Sequence, residues 1–192
     1  MFRAIGRGTS VLDLSLVDLL SRRYDVVAAN PPYMGSNNMG AVLKRHVERH
    51  FVAGKRDLYA AFILRCLELA ADAGRVAMVT QQSWMFLRSF ADLRALDEEK
   101  RRKAPRAFGG VLRETTIETL AHLGPRAFGE IGGEVVNTAL FVLAFAEPRP
   151  EHRLTAFRPE EKDGLLREAI GALKREIRGG ALMPTTVEGG VL

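Results

Sequence analysis

The chain has 192 residues, of which 47% are hydrophobic and 27% charged, and it carries a formal net charge of +5. That length buries one core, and a single cysteine, Cys66, excludes a disulfide scaffold and a cysteine zinc cluster. The positive balance suits a polyanionic partner without requiring one; with no signal peptide and no apolar run long enough for a bilayer, a cytoplasmic protein with no membrane partner is expected.

Taken in chain order, Val11 to Leu20 is apolar with Asp13 and Asp18 interspersed, a short helix leading into a strand. Tyr24 to Ala29 reads as a short buried strand, stopped by Asn30-Pro31-Pro32-Tyr33. Met34 to Gly40 is a Gly, Ser and Asn rich loop. Leu43, Val47 and Phe51 recur at helical spacing, so Ala41 to Phe51 is predicted as an amphipathic helix with a basic outer face. Leu58, Ala61, Phe62, Cys66 and Leu69 form a stronger stripe, ending near Gly74. Arg75 to Thr80 is the next strand, Trp84 to Leu96 a helix, and Thr116 to Leu123 and Val135 to Phe145 two more strands. Such alternation predicts an α/β fold with a mainly parallel sheet flanked by helices. Residues 97–110 hold a charged stretch, read as a solvated insertion or a phosphate contact. After a linker at Glu147 to Pro150, the spacing from Leu165 to Ile177 gives a helix with one apolar face that needs a partner. The expected organisation is a catalytic unit over 1–146 and a linker with an amphipathic helix over 147–192.

The run Asn30-Pro31-Pro32-Tyr33 carries chemistry. In an open α/β sheet, ligands bind beyond the C-terminal ends of strands. The exocyclic amine of a nucleobase is a poor nucleophile because its lone pair is delocalised into the ring. Two acceptors on its two N–H groups localise that pair. Asn30 offers a side-chain carbonyl and Pro31 a backbone carbonyl. Two successive prolines fix φ twice and hold the preceding residue extended, so both acceptors are in place before the substrate arrives. Tyr33 adds a flat face for a base to stack on, worth about 1–3 kcal/mol per base in single-strand binders.

These residues resemble the motif of S-adenosylmethionine-dependent amino methyltransferases, mainly DNA adenine-N6 enzymes. Release-factor glutamine methyltransferases share the same four residues, and some ribosomal RNA guanine enzymes a close variant. Tyr33-Met34-Gly35-Ser36, Asp57-Leu58-Tyr59-Ala60-Ala61-Phe62, Val79-Thr80-Gln81-Gln82-Ser83-Trp84-Met85 and His122-Leu123-Gly124-Pro125-Arg126-Ala127-Phe128 narrow the resemblance. It is to the adenine methyltransferases of BREX and phage-growth-limitation defence systems, from roughly Tyr24 to Phe145. The resemblance implies a partial Rossmann-like methyltransferase fold, S-adenosylmethionine as cofactor and double-stranded DNA as partner, with a flipped adenine as the acceptor. It also implies Asn30, Pro31 and Tyr33 as catalytic residues and Pro32 as a substrate contact. Phe128 would sandwich the base with Tyr33, or belong to the core. Gln82 and Trp84, just past a strand end, contact substrate or cap the next helix.

His46 and His50, four apart, superficially suggest a zinc-protease helix, but Glu48 does not directly follow the first histidine, so no metal site is expected. Only 29 residues precede Asn30, and Gly6-Arg7-Gly8 lies too close to the motif strand to be a cofactor loop. Asp13 is the acidic candidate for the cofactor. The chain is therefore expected to be the C-terminal half of a catalytic domain, lacking the cofactor-binding strands, with an unpaired edge on the motif strand. Its partners would include the missing half or other defence-system subunits. Two other readings stay open: methylation of a protein glutamine or of RNA, and a non-catalytic remnant that binds nucleic acid or serves in assembly.

Overall fold

The computed structural model describes residues 11–103, 108–124 and 137–157. Helices α1 (Val11–Ser21), α2 (Ala41–His50) and α3 (Leu58–Leu69) alternate with β1 (Tyr24–Ala29) and β2 (Ala70–Gln81). Three short helices follow, α4 (Ala91–Arg94), α5 (Glu98–Lys103) and α6 (Val111–Glu114), and then β3 (Thr116–Gly124), β4 (Thr138–Ala144) and β5 (Thr155–Phe157). The strands form one five-stranded sheet in the order β1-β2-β4-β3-β5. β1 is parallel to β2 and β3 to β5, while β4 is antiparallel to both of its neighbours. Four of the five strands therefore run one way, and the mainly parallel α/β sheet expected from sequence is present.

One face of the sheet is the core. Val76 and Met78 of β2 and Phe141 and Leu143 of β4 pack against Tyr59, Ile63 and Leu67 of α3. Alternation puts Arg75, Ala77 and Val79 on the other face, which the described residues leave partly open. β1 differs from its sequence reading as a buried strand: Asp25, Val26 and Ala28 are exposed, Val26 to 65%. The reason is topological. β1 is the end strand of the described sheet, paired on one side only, and Val27 and Ala29 alone reach the core. An unpaired edge and an exposed face on this strand both follow from reading the chain as half of a catalytic domain.

Two helix predictions need correction. The α3 stripe was carried to Gly74, yet the helix ends at Leu69 and β2 begins at Ala70, which pairs with Tyr24. Strand pairing overrides the helix preference of Ala70-Ala71-Asp72-Ala73. Ala73 absorbs the irregularity at φ 59°, and a side chain on Gly74 would meet the Tyr24 carbonyl oxygen at 3.0 Å. Trp84 to Leu96 is not one helix. It is two 3-10 turns, Gln82–Met85 and Arg88–Phe90, followed by α4. Arg94 Nη1 donates to the Trp84 and Leu87 carbonyls at 2.7 and 2.8 Å, occupying acceptors that a continuous helix would use along its own backbone.

The charged stretch is helical in part. Lys100 pairs with Asp92 and Lys103 with Glu99, both at 2.6 Å, so two of its cations are spent on this chain's own carboxylates. β5, with three residues, extends the sheet beyond the expected 146 boundary. The proposed helix around Leu165 to Ile177 lies outside the described residues.

Cys66 is core, as its apolar neighbours suggested: it is buried, and burial pushes its thiol up to about 11 from 9.0. Native protein is expected to react with a disulfide reagent at least about tenfold more slowly than unfolded protein, a ratio read from paired labelling time courses. Because the folded value is the higher one, this thiol's contribution to stability is intact below pH 9 and is lost as pH rises through about 11.

Candidate functional site

β1 and β2 are parallel, with Ala29 opposite Met78, so Asn30 and the Gln81-Gln82 segment leave the same edge of the sheet. Asn30 is exposed, Pro31 buried, Pro32 exposed and Tyr33 half-buried. The phenol of Tyr33 turns toward the core. Burial raises its pKa, and the nearby Thr138 opposes that rise. Its ring meets Tyr59 edge-on, with centroids 6.0 Å apart and planes at 81°. Tyr59 is fully buried, packs against Phe90 at 5.8 Å and shares a 2.8 Å hydrogen bond with Ser83 Oγ. Burial raises the Tyr59 pKa, so this hydroxyl stays protonated. Tyr33, Tyr59 and Ser83 thus join the Asn-Pro-Pro-Tyr loop to the end of β2.

A second tie is Asp57. It caps α3: its Oδ1 accepts from the Tyr59 amide at 3.2 Å and from the Met34 amide at 3.0 Å. Gly35 bridges to Asp57, Ser36 N–H donates to the Arg56 carbonyl, and Leu58 N–H donates to the Met34 carbonyl. The residue after Tyr33 is therefore clamped to a helix end. Asp57 and Tyr59 fall within a block that carries the resemblance, and the resemblance implies no role for them. An aspartate directly ahead of an apolar helical stripe is an N-cap signal that was available.

The clamp makes a separable prediction. Both amides use one oxygen, so Asp57→Asn preserves the acceptor, whereas Asp57→Ala removes it at a cost of about 1–2 kcal/mol, read by denaturant unfolding. Burial, partly opposed by backbone hydrogen bonds from Met34, Tyr59 and Leu58, raises the Asp57 pKa. The fold thus favours the protonated acid, and this contribution is lost as pH rises from 3.8 through the raised folded value. Asp57→Asn is expected to lack that pH dependence.

Gln82 is half-buried, and its amide donates to the Asn137 carbonyl at 3.0 Å, tying the end of β2 to the start of β4. Trp84, expected to contact substrate or cap the next helix, is 2% exposed; its indole N–H donates to Thr80 Oγ1 at 3.1 Å and its ring meets Phe141 edge-on. That is a packing position beneath the edge, because β2 carries Thr80 on its core face. His46 and His50 are exposed, with ring centroids 4.7 Å apart. Phe128 and the side chain of Asp13 lie outside the described residues.

Ala28, Ala29 and Asn30 line a cleft of about 350 Å³ with Ala77, Met78, Val79 and Leu140. Asn30 is its one polar side chain. S-adenosylmethionine carries ribose hydroxyls, an ammonium and a carboxylate, and the lining offers neither a carboxylate nor a cation for them. The residues of this cleft do not fit the whole cofactor. They do fit an amine held at Asn30.

The chain is 42% identical over 125 residues to adenine-specific methyltransferase BrxX of Escherichia coli O9:H4 (strain HS), a match covering 65% of the chain and 9% of BrxX. It is 44% identical over 124 residues to adenine-specific methyltransferase PglX of Lacticaseibacillus casei (strain Zhang), again covering 65% of the chain and 9% of the relative. Among solved structures, the cryo-EM structure of the DrdV–DNA complex superposes with a TM-score of 0.52 at 18% identity, covering 86% of this chain and 17% of DrdV, a likeness of fold. The family description Eco57I restriction-modification methylase matches residues 10–105, a span that holds β1, the Asn-Pro-Pro-Tyr loop, the Asp57 clamp and Gln82. With half of its length matched, the chain belongs to the Eco57I restriction-modification methylase family.

Proposed function

We propose that the protein is, or is part of, a site-specific DNA methyltransferase that moves a methyl group from S-adenosylmethionine to the N6 amino group of a flipped adenine. Its setting would be bacterial anti-phage defence or restriction-modification. The observation that carries this reading is the Asn30-Pro31-Pro32-Tyr33 loop at a strand end, held from below by Tyr59 and from behind by Asp57. The names of the relatives, both adenine-specific methyltransferases, support adenine as the acceptor.

Adenine in a duplex has its amino group paired and stacked, so the base is extruded before reaction at a cost of a few kcal/mol. Tyr33 offers the extruded ring a stacking face, and Pro32, exposed beside it, limits where that ring settles. The Asn30 side-chain carbonyl and the Pro31 backbone carbonyl each accept one N–H of the amine. The nitrogen becomes pyramidal and its lone pair is freed from the ring. S-adenosylmethionine, when bound, would supply an electrophilic methyl, its sulfur leaving as the neutral thioether as the N–CH3 bond forms and one amine proton passing to solvent. No covalent enzyme intermediate is needed, and Cys66, buried and protonated, is unsuited to the attack on a ring carbon that cytosine methylation uses. Gln82, at the second strand end, would contact the substrate; by the resemblance Phe128 would pack on the base or belong to the core, and Asp13 would face the cofactor.

A second reading, a non-catalytic piece that binds nucleic acid or serves in assembly, is favoured by the single polar side chain of the cleft. Methyl-labelled S-adenosylmethionine offered with duplex DNA, RNA and a glutamine-containing protein separates the possibilities. Label in DNA is the expected result; label in RNA or protein alone, or in none, overturns the DNA reading.

A further inference from the structure

Among the described residues some cations pair with a carboxylate and others do not. Arg22, Arg65, Arg75, Lys100, Lys103 and Arg113 each pair with a carboxylate. Arg45 and Arg49 on α2, and Lys55 and Arg56 just after it, are exposed and have no ion pair among the described residues. Arg88, Arg101, Arg102, Arg149 and Arg153 are also exposed without an ion pair among the described residues. Arg49, in the last turn of α2, is favoured there by the helix dipole. That account does not extend to Arg45, one turn earlier, or to Lys55 and Arg56 beyond the helix. Arg45 and Arg49 stand four apart, a like-charge spacing that weakens an isolated helix.

Of the exposed cations without an ion pair, Arg45, Arg49, Lys55 and Arg56 are the ones carried by elements packed on the candidate site. Leu43, Val47 and Phe51 pack on Met34, Leu58 and Ala61, so the inner face of α2 rests on the residue after Tyr33 and on the first turn of α3. The Arg56 carbonyl accepts from Ser36 N–H at 2.9 Å, within the same loop. Glu48 is the one acidic residue of α2, and Asp57 is occupied as the α3 cap. An electropositive surface is therefore fixed to the loop that carries Tyr33.

We propose that this surface, α2 with the Lys55-Arg56 turn, holds the phosphodiester backbone of duplex DNA next to the extruded base. The inference rests on the reading of DNA as substrate and adds where the duplex is gripped. Flipping a base leaves the flanking phosphates close to the pocket that receives it, and unpaired cations there neutralise them with release of counterions. Such contacts position the duplex without reading its sequence.

The test is the salt dependence of binding to a labelled duplex of mixed sequence, by fluorescence anisotropy from about 50 to about 200 mM salt. Each lost phosphate contact reduces the slope of log affinity against log salt by about 0.9. Arg45→Gln with Arg49→Gln, and separately Lys55→Gln with Arg56→Gln, are each expected to reduce it by roughly 1–2. The charge-preserving pair Arg45→Lys with Arg49→Lys is expected to retain the parent slope. Arg22→Gln with Arg75→Gln, which removes two carboxylate-paired cations, is the control, and circular dichroism verifies that each variant is folded. Equal slopes for all folded variants would overturn the surface and leave the proposed function standing. A parent protein that binds no duplex at the lowest salt would overturn the surface, and absence of methyl label in DNA would overturn the reading beneath it.

Discussion

Replacing Tyr59 with alanine is expected to cost about 3–5 kcal/mol of stability, the range for truncating a large aromatic side chain in a packed core. Tyr59 is fully buried, with Tyr33 on one side and Phe90 on the other, and the sheet residues Met78 and Phe141 belong to the same cluster. The loss is larger than for an isolated core residue of similar size, because the hydroxyl also holds Ser83 at the end of β2. Tyr59→Phe isolates that second part. It keeps the ring and leaves Ser83 Oγ without this partner, at about 1 kcal/mol. Denaturant midpoints with an unchanged slope measure both costs. If Tyr33 depends on Tyr59 for its position, the phenylalanine variant keeps substrate stacking and the alanine variant loses it even under conditions where it remains folded.

Asn30→Ala is expected to lower the rate of methyl transfer by about 10²–10³, the effect of removing one preorganised partner of a developing charge. Asn30 is exposed just past the end of β1 and makes no hydrogen bond among the described residues, so stability should change by no more than about 0.5 kcal/mol. Its hydrogen bond to the amine matters most when the nitrogen has become pyramidal, so the loss should fall on kcat more than on KM. Asn30→Asp retains an acceptor oxygen and is expected to lie between the parent and the alanine variant. Single-turnover rates at saturating cofactor and DNA, with unfolding curves beside them, distinguish this result from a folding defect.

The motif strand was legible because its signals are local. An apolar run from Tyr24 to Ala29 meets two prolines, and β1 occupies those residues. Its exposure was not legible in the run itself, since burial depends on which strands pair with it. α3 was found from its stripe, but its end was misplaced because Ala70 to Ala73 read equally well as helix until Tyr24 pairs with Ala70. The turns around Trp84 escaped for a similar reason: Arg94 reaches back ten residues to the Trp84 carbonyl, a contact that no periodicity encodes. β5, three residues long, carries too little pattern to be seen. In the candidate site, Asn30 to Tyr33 could be named from chemistry. The supports beneath them, Asp57 and Tyr59, lie more than twenty residues on and are brought to the loop by the packing of α3. The place of Trp84 just past a strand end left substrate contact and helix capping equally open, and its burial depends on a partner, Phe141, more than fifty residues away.

The most direct test of the account is nucleoside analysis by mass spectrometry of DNA incubated with the protein and methyl-labelled S-adenosylmethionine, run beside Asn30→Ala. The account predicts N6-methyladenine carrying the label from the parent protein, reduced by at least about a hundredfold in the variant. Label on another base, or equal N6-methyladenine from the two proteins, would contradict it.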